Sequence, residues 1–138
     1  MKKISTLILF ISGITAILSW QTQTPTVKAS IVRGKELYPQ YCLSCHQADG
    51  SGVPRMNPPL IKTSYVTGNK KKMIQWVLKG SVENIPIDGE YYSNNMAAQS
   101  YLTDVQIADI LTYIRNSFGN KASAVTASEV KAVRAVTK

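Results

Sequence analysis

Histidine and cysteine are scarce in this chain: its 138 residues include one histidine and two cysteines. Two cysteines exclude a disulfide framework of several bridges, and a lone histidine leaves little room for His-assisted nucleophilic chemistry. Acidic residues are also few, eight against sixteen Lys and Arg, for a formal charge of +8. That excess is uneven. Residues 1–29 hold three basic residues and no acid, residues 30–120 hold nine against seven, and residues 121–138 hold four against one. The middle of the chain is close to neutral and carries no basic stripe of the kind that nucleic acid requires, so nucleic acid is not an expected partner. No cysteine precedes Cys42, which excludes lipid attachment at a leader cysteine. No internal repeat or long low-complexity tract is present. At this length one domain is expected, with a leader or a tail to spare.

Long apolar runs are missing too, except near the N-terminus. Met1-Lys2-Lys3 precedes ILFISGITAILSW, followed by the polar run QTQTPT and the small residue Ala29. This is the order of an export leader, read here as residues 1–29 with cleavage after Ala29 or nearer Ser19. Ile4 to Trp20 is just long enough to span a bilayer, so an uncleaved N-terminal anchor is the other reading. Either way the domain is expected to be exported, to a bacterial periplasm, free or held at the inner membrane.

Both cysteines and the histidine fall within YCLSCHQADG, residues 41–50. Four chemistries compete for them. A periplasm would oxidise two thiols to a disulfide. A redox-active C-x-x-C belongs at a strand-to-helix junction in an α/β pattern, which is not evident here. Zinc needs a second Cys/His group to close a four-ligand site, and there is none. The remaining reading is Cys42-x-x-Cys45-His46, the attachment motif of a c-type haem. Two thiols one helical turn apart would bind two groups on one side of the porphyrin, and the next residue would offer its imidazole to the iron. Random placement of these three residues yields the motif about once in ten thousand arrangements. The haem reading is therefore favoured, and a redox dithiol is its competitor.

A six-coordinate iron needs a second axial ligand, and with histidine exhausted methionine is the usual alternative. Met73 lies in KKKMIQWVLKG, where it shares one helical face with Ile74, Val77 and Leu78, and reads as core. Met56 follows His46 by only ten residues, in a short proline-rich segment. Met96 stands in YYSNNMAAQS, a polar loop without periodicity, where a core methionine has no purpose and a ligand does. Met96 is the expected ligand. Asp88 and Glu90, within IDGE, read as a solvated turn and not as an acid/base pair.

With these pieces in order, residues 30–120 resemble the small bacterial single-haem class I cytochromes c. The resemblance rests on a first helix with Gly34 and Tyr38, then Cys42-Cys45-His46, then Pro58-Pro59-Leu60 within RMNPPL. A helix from Lys70 to Lys79, the loop IDGEYYSNNM and a last helix in LTDVQIADILTYIRNSFG complete it. That helix opens on a capping box, Thr103-x-x-Gln106, shows the stripe Ile107, Ile110, Leu111, Ile114 and Phe118, and is expected to stop at Gly119. The resemblance implies an all-α cytochrome c fold, three main helices around one covalently bound haem c. It implies thioethers at Cys42 and Cys45, axial ligation by His46 and Met96, and a pocket that includes Pro58 and Leu60. It also implies that the Pro58 carbonyl accepts from the histidine Nδ1–H and that Tyr113 packs on the first helix.

One departure concerns the residue after the ligand. The family usually has proline there, and Ala97 in its place would leave the loop less restrained. The tail, residues 121–138, carries a second capping-box pattern at Thr126-x-x-Glu129 and reads either as one short helix or as a frayed basic end. The resemblance implies one-electron transfer between redox-partner proteins by an exported carrier, not catalysis. Lys62, Lys70 to Lys72 and Lys79 would attract an acidic partner. The competing function is a haem protein with an open sixth site that senses or reacts with a small gas or peroxide.

Overall fold

A computed structural model describes residues 26–81 and 86–137; the leader or anchor expected in residues 1–29 lies almost wholly outside them. Six helices are present among the described residues: α1 (Val27–Tyr41), α2 (Leu43–His46), α3 (Ser64–Thr67), α4 (Lys70–Lys79), α5 (Asp104–Arg115) and α6 (Ala127–Val136). The rest of the described chain is turns and loops, with two isolated bridges, Val53 to Asn57 and Ile87 to Glu90. The fold is all-α.

The first helix begins at Val27, where Thr26 caps it by accepting from the Ala29 amide. It packs on α5 at Gly34. A Cβ there would lie 2.0 Å from the Asp109 carbonyl oxygen and 2.7 Å from Tyr113 Cβ, so only glycine lets the two backbones approach this closely. Tyr38, Tyr113 and Phe118 close the crossing with centroid separations of 5.5 Å for both Tyr38 pairs and 5.6 Å for Tyr113–Phe118. Offset and edge-on geometry of this kind adds to area burial. Asp109, on the buried face of α5, accepts from Ser30 Oγ (2.5 Å) and from Arg33 Nε (2.6 Å), which pairs its charge at the helix contact.

The capping box of α5 is present, with Thr103 and Gln106 satisfying each other's amides. Ile107, Ile110, Leu111 and Ile114 are buried. The helix ends sooner than expected, at the Asn116 cap and not at Gly119. Phe118, at φ 56°, folds back against Tyr38 from beyond the helix end. A buried Asn120 explains the early stop: its amide donates to the carbonyls of Ile114 (2.8 Å) and Leu60 (2.9 Å), and its Oδ1 accepts from Lys62 N (2.7 Å). One side chain thereby serves an orphan carbonyl at the helix end and fixes the loop that carries Leu60.

The tail is not frayed. Thr126 and Glu129 form the second capping box, and α6 buries Val130 and Val133 in the same core as α4 and α5. Thr112 Oγ1 both donates to the Val125 carbonyl and accepts from the Val125 amide, each at 3.0 Å. Lys70 pairs with Glu129, and Arg134 Nε lies 2.7 Å from Asp104 Oδ1.

Candidate functional site

The cysteines and histidine are set by a single turn of backbone. Cys42 closes α1, its amide donating to the Tyr38 carbonyl at 2.9 Å, and α2 follows at once. The His46 amide donates to the Cys42 carbonyl at 2.9 Å, so Cys42, Cys45 and His46 sit on one short helical turn. All three line the same cleft. His46 Nδ1 lies 3.0 Å from the Pro58 carbonyl oxygen. A carbonyl only accepts, so Nδ1 carries the proton and Nε2 is left with its lone pair for a metal. Burial lowers the pKa of His46 and the Pro58 bond partly opposes this; the neutral imidazole is the ligating form. The buried Tyr38 hydroxyl donates to the Gln47 carbonyl at 2.7 Å, holding the chain just after the histidine.

Cys42 and Cys45 are both free thiols. Burial, reinforced by neighbouring Cys45, pushes Cys42 up to about 12. A redox dithiol depends on a depressed thiol pKa in an electropositive setting. The environment of Cys42 does the reverse, which leaves it a buried and unreactive thiol. Among the described residues no group of three or more His, Cys, Asp and Glu is arranged to hold a metal ion by itself.

The cleft has a volume of about 300 Å³, the lower end of the range typical of cofactor sites. Its walls include Leu60, Val66, Met73, Leu102, Ile110 and Leu111. The apolar lining, two unpaired thiols, an imidazole with one nitrogen already occupied and a thioether form a donor set that suits a covalently held haem. Two thioethers border the cleft, and that of Met96 is half-buried on its wall in a loop. Met73 also borders the cleft but is built into the core on α4. Met56 is exposed and does not line it.

The backbone of Met96 is held from both sides. Its amide donates to Ser81 Oγ at 3.1 Å, and its carbonyl accepts from Ser81 N at 2.9 Å. Gly80, the stop of α4, has φ 74° and ψ −173°, a conformation open almost only to glycine. A Cβ at Gly80 would lie 2.3 Å from the Met96 carbonyl oxygen. Upstream, Ser93 N and Asn94 N donate to the carbonyls of Arg55 (2.8 Å) and Met56 (3.0 Å). Downstream, Gln99 N donates to the Val77 carbonyl at 2.8 Å. The restraint that Ala97 does not provide is thus supplied by Gly80 and by Ser81, the second of which no motif pattern singles out.

One further expectation needs correcting. Lys70 is not free to attract a partner, because its ammonium is shared between Glu129 and the Ala124 carbonyl (3.1 Å). Lys62, Lys71, Lys72 and Lys79 are exposed. Asp88 lies in an exposed turn, as its sequence suggests, and it also accepts from the amide of Ser64 in the first turn of α3 at 3.0 Å.

The order of these elements and the composition of the cleft agree with comparison to known proteins. A family model described as Cytochrome c matches residues 31–118. This chain belongs to the cytochrome c family. Members of that family carry covalently attached haem c with its iron, and that is the cofactor of this cytochrome. It is 32% identical over 111 residues to a cytochrome c-552 of Thermus thermophilus, covering 74% of this chain and 84% of that protein. It is 36% identical over 113 residues to the cytochrome c subunit of an alcohol dehydrogenase (quinone) of Gluconacetobacter polyoxogenes. A fructose dehydrogenase cytochrome subunit of Gluconobacter japonicus is 36% identical over 107 residues. These matches cover 75% and 74% of this chain but only 22% of either subunit, so this cytochrome spans about a fifth of the dehydrogenase subunits it resembles.

Proposed function

We propose that this cytochrome holds one haem c through thioether bonds at Cys42 and Cys45, with His46 and Met96 as the two axial ligands of the iron. The haem supplies a ferric/ferrous couple. The protein's own residues fix its surroundings. Pro58 orients the His46 imidazole, Leu60 and its neighbours keep water from the cleft, and Ser81 presents Met96. A thioether ligand and an apolar cleft both favour the ferrous state, raising the potential. The observation that carries this reading is the meeting in one cleft of His46, bonded to the Pro58 carbonyl, and Met96, clamped by Ser81.

In this reading the protein is exported and passes electrons between two partner proteins without chemical turnover of its own. Among the described residues no helix is long and apolar enough to cross a membrane, and membrane attachment would fall to residues 1–25. The named relatives include both a cytochrome c-552 and dehydrogenase cytochrome subunits, so a dehydrogenase is one class of donor. Proteolysis of the red protein followed by mass spectrometry is the test. One haem should be found per chain, on the peptide with Cys42 and Cys45, and a redox titration should follow a one-electron Nernst curve. Haem lost on acid–acetone extraction, or a two-electron titration from a dithiol, would refute the assignment.

A further inference from the structure

The family match ends at residue 118, yet α6 lies beyond it and is built into the core. Its Arg134 does more than pack. Nη1 donates to the Ser100 carbonyl at 2.7 Å, Nη2 to the Leu102 carbonyl at 2.7 Å, and Nε to Asp104 Oδ1 at 2.7 Å. One guanidinium therefore grips three points on the stretch that runs from the methionine loop into α5. The rigid, planar fork of arginine suits such a grip, and lysine cannot reproduce it.

That stretch also borders the cleft. Leu102 is 4% exposed and, with Ala97 and Gln99, forms part of the cleft wall. The loop is fastened to the end of α4 by Ser81 and Val77 on the Met96 side. Between Gln99 and α5 the bonds that tie it to another helix come from Arg134. Tyr101, between the two gripped carbonyls, places its ring 6.2 Å from that of Tyr41, which lines the cleft beside Cys42.

We propose that Arg134 is a positioning residue for the sixth iron ligand: the C-terminal helix straps the far end of the Met96 loop and so keeps the thioether seated. This rests on the assignment of Met96 as ligand. Without the strap, the segment from Ala97 to Leu102 gains freedom, and Met96 leaves the iron more often while the rest of the domain stays folded.

The test is carbon monoxide binding to the reduced holoprotein, with melting temperature measured in parallel. In wild type the reaction is limited by release of Met96. Arg134→Ala should bind carbon monoxide about tenfold faster, equivalent to ~1.4 kcal/mol less seating of the ligand. Arg134→Lys, which keeps the charge and loses the fork, should fall between the two and serves if the alanine variant does not fold. Val130→Ala provides the structural control, since it opens a cavity beneath α6 and leaves the Arg134 bonds intact. It should lower the melting temperature without speeding carbon monoxide binding. The proposal is overturned if the Arg134 variants bind no faster than Val130→Ala at matched stability. If wild type itself binds as fast as Met96→Ala, the ligand assignment fails first and the strap with it.

Discussion

Replacing Gly80 by alanine tests how the protein holds Met96. At φ 74° and ψ −173°, an alanine carries backbone strain of about 1–3 kcal/mol. Its Cβ would meet the Met96 carbonyl oxygen at 2.3 Å, the Ala98 amide nitrogen at 2.9 Å and the Ala97 carbonyl carbon at 3.1 Å. All three are backbone atoms, so no side chain can swing aside, and overpacking of this kind costs a further ~1–3 kcal/mol unless the loop moves. The simplest relief is for the Met96 segment to shift outward, which breaks the Ser81 amide bond to the Met96 carbonyl. If about 1.4–2.8 kcal/mol of the clash is relieved in that way, Met96 is displaced ten to a hundred times more often. Stopped-flow mixing of the reduced protein with carbon monoxide reads that change directly. Gly89→Ala is the matched control: φ is 90°, but nothing lies within 4 Å of the added Cβ. It should cost about 1–2 kcal/mol of stability and leave carbon monoxide binding unchanged. Equal rates in the two variants would refute the claim that Gly80 seats the ligand.

Replacing Cys42 or Cys45 singly by alanine should leave haem held by one thioether, and replacing both should let acid–acetone extract it; absorbance of the extracted protein decides. Asn120→Ala removes the partners of the Leu60, Ile114 and Lys62 backbone groups. With unmet buried groups costing ~1–3 kcal/mol each, thermal melts should fall by on the order of 10 °C. Glu129 is held below the ordinary carboxylate range: burial disfavours its charge, but Lys70 and the Thr126 cap outweigh that. A carboxyl lowered in the folded state adds stability above its unfolded pKa of about 4.3, and that stability is lost as pH falls through the folded value. Glu129→Gln keeps the capping box and should therefore melt lower than wild type at neutral pH, with the difference shrinking as pH falls through the lowered folded value of Glu129. A gap that persists in acid would contradict the ion-pair account.

Local patterns were the legible part. The C-x-x-C-H turn, the two capping boxes and the stripe on α5 each depend on residues within a few positions of one another, where helical spacing and cap chemistry decide the outcome. The Pro58 bond to His46 spans twelve positions and was accessible only through family resemblance. What the pattern does not show is the long-range framework. Ser81 and Met96 are fifteen positions apart, Lys62 and Asn120 fifty-eight, and Arg134 and Leu102 thirty-two. Serine, asparagine and arginine at those positions read as ordinary surface residues, because nothing in their neighbourhoods marks a distant carbonyl. Lys70 reads as a free surface cation for the same reason: its partner, Glu129, lies fifty-nine positions away on a tail whose sequence fits a short helix or a frayed end. The early stop of α5 follows from Asn120, whose three backbone partners override the apparent signal of Gly119.

The central claim is that one haem is held in this cleft with both axial positions filled from the chain, by His46 and Met96. The visible spectrum of the reduced wild-type protein, recorded before and after addition of carbon monoxide, tests it most directly. A sharp ferrocytochrome spectrum that carbon monoxide changes only slowly, at the pace of Met96 release, is the result predicted for a filled sixth site and an electron carrier. A prompt shift to a carbon monoxide adduct would mean an open iron, contradict the role of Met96 and move the protein toward gas sensing or peroxide chemistry.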